Sequence, residues 1–302
     1  MIDLHVHTNN SDGSDSVIEL LQQAERAKLE LISITDHDNC FAYNELNQIE
    51  VPKYFTGTII RGVELAASCN GMEVELLGYG VDVDVINEKA IEIRAMKKKF
   101  YYMQFQKLYE RCLKLNVRLD DGVMDRYVEG EYFYPSSYLH KEIVKHQENK
   151  KFFGADEKGW ENHLTFGVTQ LGNVASPLYI DVTEYLPTCD YIYDLIKKAN
   201  GLVFIPHIFA YNEKALETLE YFTKNFDIDG IECFYSRFTK EQSSFLVNYC
   251  KNHHYFISGG SDYHGIQKPD IKIGTGVDNN IDISRDTIKD WLQESMLYAK
   301  CG

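Results

Sequence analysis

The sequence predicts an α/β protein whose parallel sheet is interrupted by a mainly helical insertion. Three observations carry this. Strands alternate with helices over residues 1–86, the alternation resumes over 196–302, and the stretch between, 87–195, changes to a helical then irregular, aromatic pattern. Repeated strand–helix units imply parallel strands in an open sheet or a closed barrel.

The elements follow in order. Ile2-Asp3-Leu4-His5-Val6-His7 is short and alternating, as a strand is. Apolar residues at 17, 18, 20, 21, 24 and 27 have helical spacing. Leu31-Ile32-Ser33-Ile34-Thr35 is a second strand ending at Asp36-His37-Asp38. Residues 58–64 form a third and 73–77 a fourth. The stretch 87–115 is helical and rich in Lys, Tyr and Phe, and 116–185 is punctuated by Gly130, Pro135, Gly154, Gly159 and Pro177. Strands return at 201–207, 229–234 and 255–262, with helices near 213–225 and 240–252 between them.

Composition narrows the function classes. Of 302 residues, 44% are hydrophobic and 25% charged, ordinary values for a soluble globular protein. No apolar run approaches the roughly 18 residues of a spanning helix. The first residues lack the basic-then-apolar pattern of a signal peptide, so a cytoplasmic location is expected. Seven scattered cysteines with no Cys-x-x-Cys pair fit neither a disulfide framework nor a thiolate zinc site. A net charge of −15 argues against a broad footprint on duplex nucleic acid. A small phosphorylated substrate or a short single-stranded oligonucleotide end stays open, because bound dications reverse the local field.

The ionisable residues then fall into a pattern. His5 and His7 share one face of the first strand near its C-terminal end. Asp12 follows in the next loop, His37 sits past the second strand, and Glu64 closes the third. His207 ends the strand after the insertion, and Asp262 and His264 end the last. In βα barrels such strand ends converge on one rim, where active sites are built. A lone His-x-His is more often surface or core, and an Asp at a strand end is often a cap or turn residue. Eight such residues at the same end of successive strands point instead to metal ligation. Imidazole and carboxylate without thiolate suit Zn²⁺, Mn²⁺ or Fe²⁺.

Taken together, Asp3-Leu4-His5-Val6-His7-Thr8 with Ser11-Asp12-Gly13, Ile34-Thr35-Asp36-His37-Asp38, Gly62-Val63-Glu64, Pro206-His207 and Gly259-Gly260-Ser261-Asp262-Tyr263-His264-Gly265 resemble the polymerase and histidinol phosphatase (PHP) family. The resemblance implies a distorted (β/α)7 barrel and two or three divalent metals. It would give His5, His7, Glu64 and Asp262 to one metal and Asp12, His37 and His264 to another. Glu64 would bridge to a third position that uses His207.

Two departures from the family's nucleotide-phosphatase branch stand out. A His usually precedes the Leu-Leu-Gly-like segment of that branch, whereas Glu73-Val74-Glu75-Leu76-Leu77-Gly78 places Glu75 there. Glu75 is either an oxygen ligand, favouring harder ions such as Mn²⁺, or a solvated strand residue. Where relatives carry Arg-Pro-His near the substrate, the nearest segment here is Tyr134-Pro135-Ser136.

The implied reaction is hydrolysis of a phosphate ester by a metal-activated hydroxide attacking in line. Asp262, His207 and His264 are the candidate catalytic groups, the two imidazoles as leaving-group acids. Arg237 and Lys268 are the candidate phosphate-binding cations, Arg for its bidentate fork. Tyr101, Tyr102, Phe133 and Tyr134 could form a base-stacking wall, although such aromatics more often belong to a core. The favoured substrate is a nucleoside 5′-monophosphate, a 3′,5′-bisphosphate or a sugar phosphate. The alternatives are 5′–3′ trimming of short oligonucleotides, cyclic phosphate hydrolysis, a metal amidohydrolase, and a degenerate non-catalytic metal-binding module.

Overall fold

A computed structural model describes residues 1–132, 134–155 and 157–298; Phe133 and Cys301 lie outside them. Seven strands form one sheet in chain order: β1 (Ile2–Val6), β2 (Leu31–Ile34), β3 (Thr58–Cys69), β4 (Met72–Tyr79), β5 (Leu202–Ile205), β6 (Gly230–Tyr235) and β7 (Phe256–Gly260). The order brings β7 back to β1. Val6 bridges Tyr263 in parallel, His7 N–H donates to Tyr263 O at 2.9 Å, and Asp262 N–H donates to His5 O at 2.8 Å. The result is the expected barrel-like α/β fold, nearly closed.

Helices α1 (Val17–Arg26) and α2 (Phe41–Leu46) follow the first two strands. Ser16 and Glu19 close a capping box that starts α1. The long α3 (Val83–Lys114) follows β4. The stretch after it holds α4 (Pro135–Val144) and the single turn α5 (His163–Phe166). Pro135 occupies the first turn of α4, where a missing N–H costs nothing. The βα alternation then resumes with α6 (Cys189–Lys198), α7 (Ala215–Asn225) and α8 (Lys240–His253), the last opened by a Thr239/Gln242 capping box.

One strand departs from the parallel arrangement expected of βα units. Pairs β1–β2, β2–β3, β5–β6 and β6–β7 are parallel, but β4 runs antiparallel to β5, with Leu77 opposite Phe204 and Tyr79 opposite Leu202. The cause is a two-residue turn between β3 and β4. Asn70 (φ 49°) and Gly71 (φ 75°) both adopt positive φ, the conformation for which an Asn-Gly pair is suited. The strand read over 58–64 therefore continues to Cys69 and folds back. Reversal puts the beginning of β4, with Glu75, at the end of the sheet where the parallel strands finish.

The chain forms two compact units. The first comprises 1–66, 75–91 and 189–302; the second comprises 67–74 and 92–188. In the first, Ile2, Leu4, Leu31, Ile60, Tyr79, Phe204 and Trp291 share a buried core. The Trp291 ring stacks on Tyr79 at 5.4 Å and its indole N–H reaches Ile257 O at 3.0 Å, so a late segment seals the sheet. The second unit has its own core, built from Phe105, Leu108, Tyr138, Leu139, Phe153 and Phe166. Tyr101, Tyr102 and Tyr134 belong to this unit, with Tyr101 and Tyr134 edge to face at 5.0 Å. Among the described residues no helix is long and apolar enough to cross a membrane.

The second unit carries a pH signature. Burial, with smaller contributions from His140 and Lys141, pushes the His163 imidazole down to about 4. His140 is lowered by burial too. An unfolded chain takes up these protons near the ordinary value of about 6.5. Between the two values the unfolded state binds more protons, so stability falls as pH drops from about 6.5 to 4. We expect His163→Gln to flatten that slope in urea unfolding at pH 7 and pH 5. Equal slopes in variant and wild type would refute this.

Candidate metal centre

The barrel mouth is assembled from strand ends. His5 lies in β1 and His7 just beyond it, both fully buried, with ring centroids 5.1 Å apart. Glu64, in the middle of β3, is the hub. Its Oε2 lies 3.1 Å from His5 Nε2, 3.3 Å from His7 Nε2 and 3.4 Å from His37 Nδ1, and its Oε1 lies 2.8 Å from His207 Nε2. Asp262 Oδ1 lies 3.3 Å from His7 Nε2 and 3.7 Å from His5 Nε2. Asp12 Oδ1 lies 3.1 Å from His264 Nε2, 3.7 Å from His37 Nε2 and 3.8 Å from His7 Nδ1. Glu75 reaches His37 Nδ1 and His207 Nε2, each at 3.4 Å. The nine residues singled out as metal candidates thus converge on one cluster.

The two cations fare differently. Lys268 is partly buried at the cluster edge and donates to Asp262 Oδ2 at 2.6 Å. Arg237 instead forks onto Asp270 at 2.7 and 3.0 Å, and is half-exposed.

A supporting tier escaped the sequence reading. Glu232, fully buried in β6, lies 2.9 Å from His5 Nδ1 and accepts the His207 backbone N–H at 2.7 Å. Tyr235 donates to Asp262 Oδ2 at 3.0 Å. Asp36 accepts from Thr8 N–H and Oγ at 2.7 and 2.6 Å, and Asp3 accepts from the Ser261 and Gly274 N–H groups at 2.8 and 2.7 Å. Each pins one rim loop to another strand. A signal was present in Ile231-Glu232-Cys233, since a carboxylate amid apolar strand residues is retained only where it has partners. Backbone strain marks the same places: His207 and Asp262 have φ of 23° and 57°.

Electrostatics follow from crowding. Burial alone would raise the Glu64 carboxyl, but His5, His37 and His207 hold it well below the usual range. For Asp262, Lys268 and His264 likewise overcome burial. Burial lowers His7, yet Asp262 and Glu64 outweigh it and lift the imidazole to about 9. A proton and a metal compete for such a nitrogen, because only neutral imidazole ligates. The donor set fits a cation. His7 is fully buried and faces carboxylates at 3.3 Å, and among the described residues neither ring nitrogen has a partner in good hydrogen-bond geometry. Among the described residues, three groups each have donor atoms within 4.8 Å of one another: His7/Asp12/His37/His264, His5/His7/Glu64 and His37/Glu64/Glu75.

A nearly closed α/β barrel with imidazoles and carboxylates gathered at its strand ends defines a metal-centred enzyme. Residues 3–203 match the PHP domain model, and the chain belongs to that family, as the strand-end motifs led us to expect. It is a metal-dependent phosphoester hydrolase. The chain is 22% identical over 275 residues to a protein of Escherichia coli K12 named 5′-3′ exoribonuclease Rnm, an overlap of 87% of this chain and 84% of that one. Two solved structures share the fold. One, from Bifidobacterium adolescentis and described as a metal-dependent phosphoesterase, gives a TM-score of 0.60 at 21% identity, covering 96% of this chain and 94% of that one. The other, an amidohydrolase from Chromobacterium violaceum with bound sulfate, gives 0.66 at 18% identity, covering 99% and 98%.

Proposed function

We propose that the chain hydrolyses the phosphate ester of a small nucleotide, a nucleoside 5′-monophosphate or 3′,5′-bisphosphate, at the cluster around Glu64. The observation that carries this is the convergence of five imidazoles and four carboxylates on one barrel mouth beside a partly buried lysine. In this reading His5, His7, Glu64 and Asp262 hold one divalent cation, and Asp12, His37 and His264 a second. Bound there, the cations supply charge to neutralise phosphate oxygens and bring a water's pKa toward neutrality.

The protein's own groups do the rest. Glu232 accepts from His5 Nδ1, which turns the Nε2 lone pair toward Glu64. Lys268 and Tyr235 both take Asp262 Oδ2, which leaves Oδ1 facing the imidazoles of His5 and His7. Lys268 thereby supplies one fixed positive charge near an incoming phosphate. His264 Nδ1 lies 2.8 Å from the Asp262 carbonyl, which suits donation there and leaves Nε2 as a ligand atom. Of the two imidazoles, this leaves His207, through its Nδ1, as the candidate to carry the leaving-group proton. Arg237 enters only if the phosphate draws it away from Asp270.

A second reading, 5′–3′ trimming of short single strands, is favoured by the name of the Escherichia coli relative, which overlaps most of this chain. The negative net charge suits a short end better than a long duplex. Phosphate release from nucleoside 5′-monophosphates, 3′,5′-bisphosphates and 5′-phosphorylated oligonucleotides of two to six residues, measured with added Mn²⁺, separates the two. Mononucleotide product from the oligomers would favour trimming. No turnover of any ester by metal-loaded protein would sink both.

A further inference from the structure

We propose that Glu75 makes one edge of the cluster selective for a hard, oxygen-preferring divalent cation such as Mn²⁺ over Zn²⁺. The inference rests on the metal-dependent reading above and adds which cation that edge takes.

Two carboxylates meet the same pair of imidazoles there. Glu64 lies 3.4 Å from His37 Nδ1 and 2.8 Å from His207 Nε2, and Glu75 lies 3.4 Å from each of those nitrogens. Two carboxylates brought to shared partners repel unless positive charge sits among them. A dication held among them would supply that charge. The side chains are also preset to receive one. The reversed β4 carries Glu75 to the rim, and its backbone N–H donates to Tyr211 Oη at 2.9 Å. The His207 N–H is anchored on Glu232, its side chain is only 9% exposed, and among the described residues its Nδ1 has no hydrogen-bond partner.

Donor chemistry then sets the preference. The group His7, Asp12, His37 and His264 offers three imidazoles to one carboxylate, whereas His37, Glu64 and Glu75 offer two carboxylates to one imidazole, with His207 beside them. Carboxylate oxygen suits Mn²⁺ and Mg²⁺, while imidazole-rich sites suit Zn²⁺. Zn²⁺ binds nearly any such site more tightly in absolute terms, so the preference shows as a ratio between variants.

The test needs no substrate. Metal-stripped wild type, Glu75→Gln and Glu75→His are dialysed against Mn²⁺ or Zn²⁺, and bound metal is counted by elemental analysis, with circular dichroism confirming the fold. Gln keeps the shape of Glu, and the backbone bond to Tyr211 survives any side chain. We expect Glu75→Gln to lose one Mn²⁺ equivalent per chain and retain the others. Glu75→His should raise the Zn²⁺:Mn²⁺ affinity ratio of the last-filled position by roughly tenfold or more. Unchanged Mn²⁺ stoichiometry in the Gln variant, or an unchanged ratio in the His variant, overturns the proposal. If wild type binds metal and hydrolyses esters while both variants behave as wild type, only this inference fails. If wild type binds no metal, the functional reading fails with it.

Discussion

Glu64→Gln is expected to strip metal from the chain and to lower phosphoester turnover by at least about 10²-fold, the upper end of what a change outside the ligand sphere costs. The substitution keeps side-chain volume, so packing is not the cause. Glu64 touches four imidazoles, those of His5, His7, His37 and His207, within 3.4 Å. An amide carries no negative charge and presents an N–H₂ to at least one of those nitrogens. Both the attraction for a dication and the arrangement of the rings are lost together. Elemental analysis after Mn²⁺ loading and phosphate release on the best ester are the two measurements. Full metal content with wild-type turnover would show that Glu64 is a structural carboxylate. Asp262→Ala should behave similarly, since it leaves Lys268 and Tyr235 without their shared acceptor.

The second large effect is mechanical. A Cβ added at Gly260 would sit 2.4 Å from both the backbone N and the Cβ of His5, distances that real side chains do not tolerate. The residue lies where β7 meets β1, so Gly260→Ala must push the seam apart or displace His5. Overpacking of this kind costs about 1–3 kcal/mol. Because His5 sits in the seam, turnover should fall along with stability. Gly167→Ala is the control: among the described residues a Cβ there meets nothing within 4 Å beyond its own helix backbone and chain neighbours, so little change is expected. Urea unfolding compares the two. A Gly260→Ala midpoint equal to that of Gly167→Ala would mean the seam is looser than the geometry indicates.

Much of the molecule was legible in the chain because period and position carry physical meaning. Alternating apolar residues mark β1, and Val17, Leu20, Leu21 and Ala24 mark the buried face of α1. His7, His37 and His207 each lie just past the apolar run of a strand, and parallel strands end at one rim. Their meeting follows from strand direction alone. The hairpin is legible as well, in the Asn70-Gly71 pair between two strands with no helix between them.

Other features had no one-dimensional trace. Nothing near Lys268 in the sequence says that its ammonium reaches Asp262, nor does anything near Arg237 announce Asp270. Long cationic side chains reach in many directions, and only packing selects the partner. The same holds for Glu232, which contacts His5 across 227 positions of sequence. The chain by itself determined the strands, the strand-end histidines and carboxylates, and through them the family and the class of chemistry. Tertiary structure alone decided that Glu75 faces His37 and His207, and that Lys268 rather than Arg237 joins the cluster. The reason is that periodicity encodes which face a side chain takes, whereas the partner it meets depends on contacts closed between distant segments.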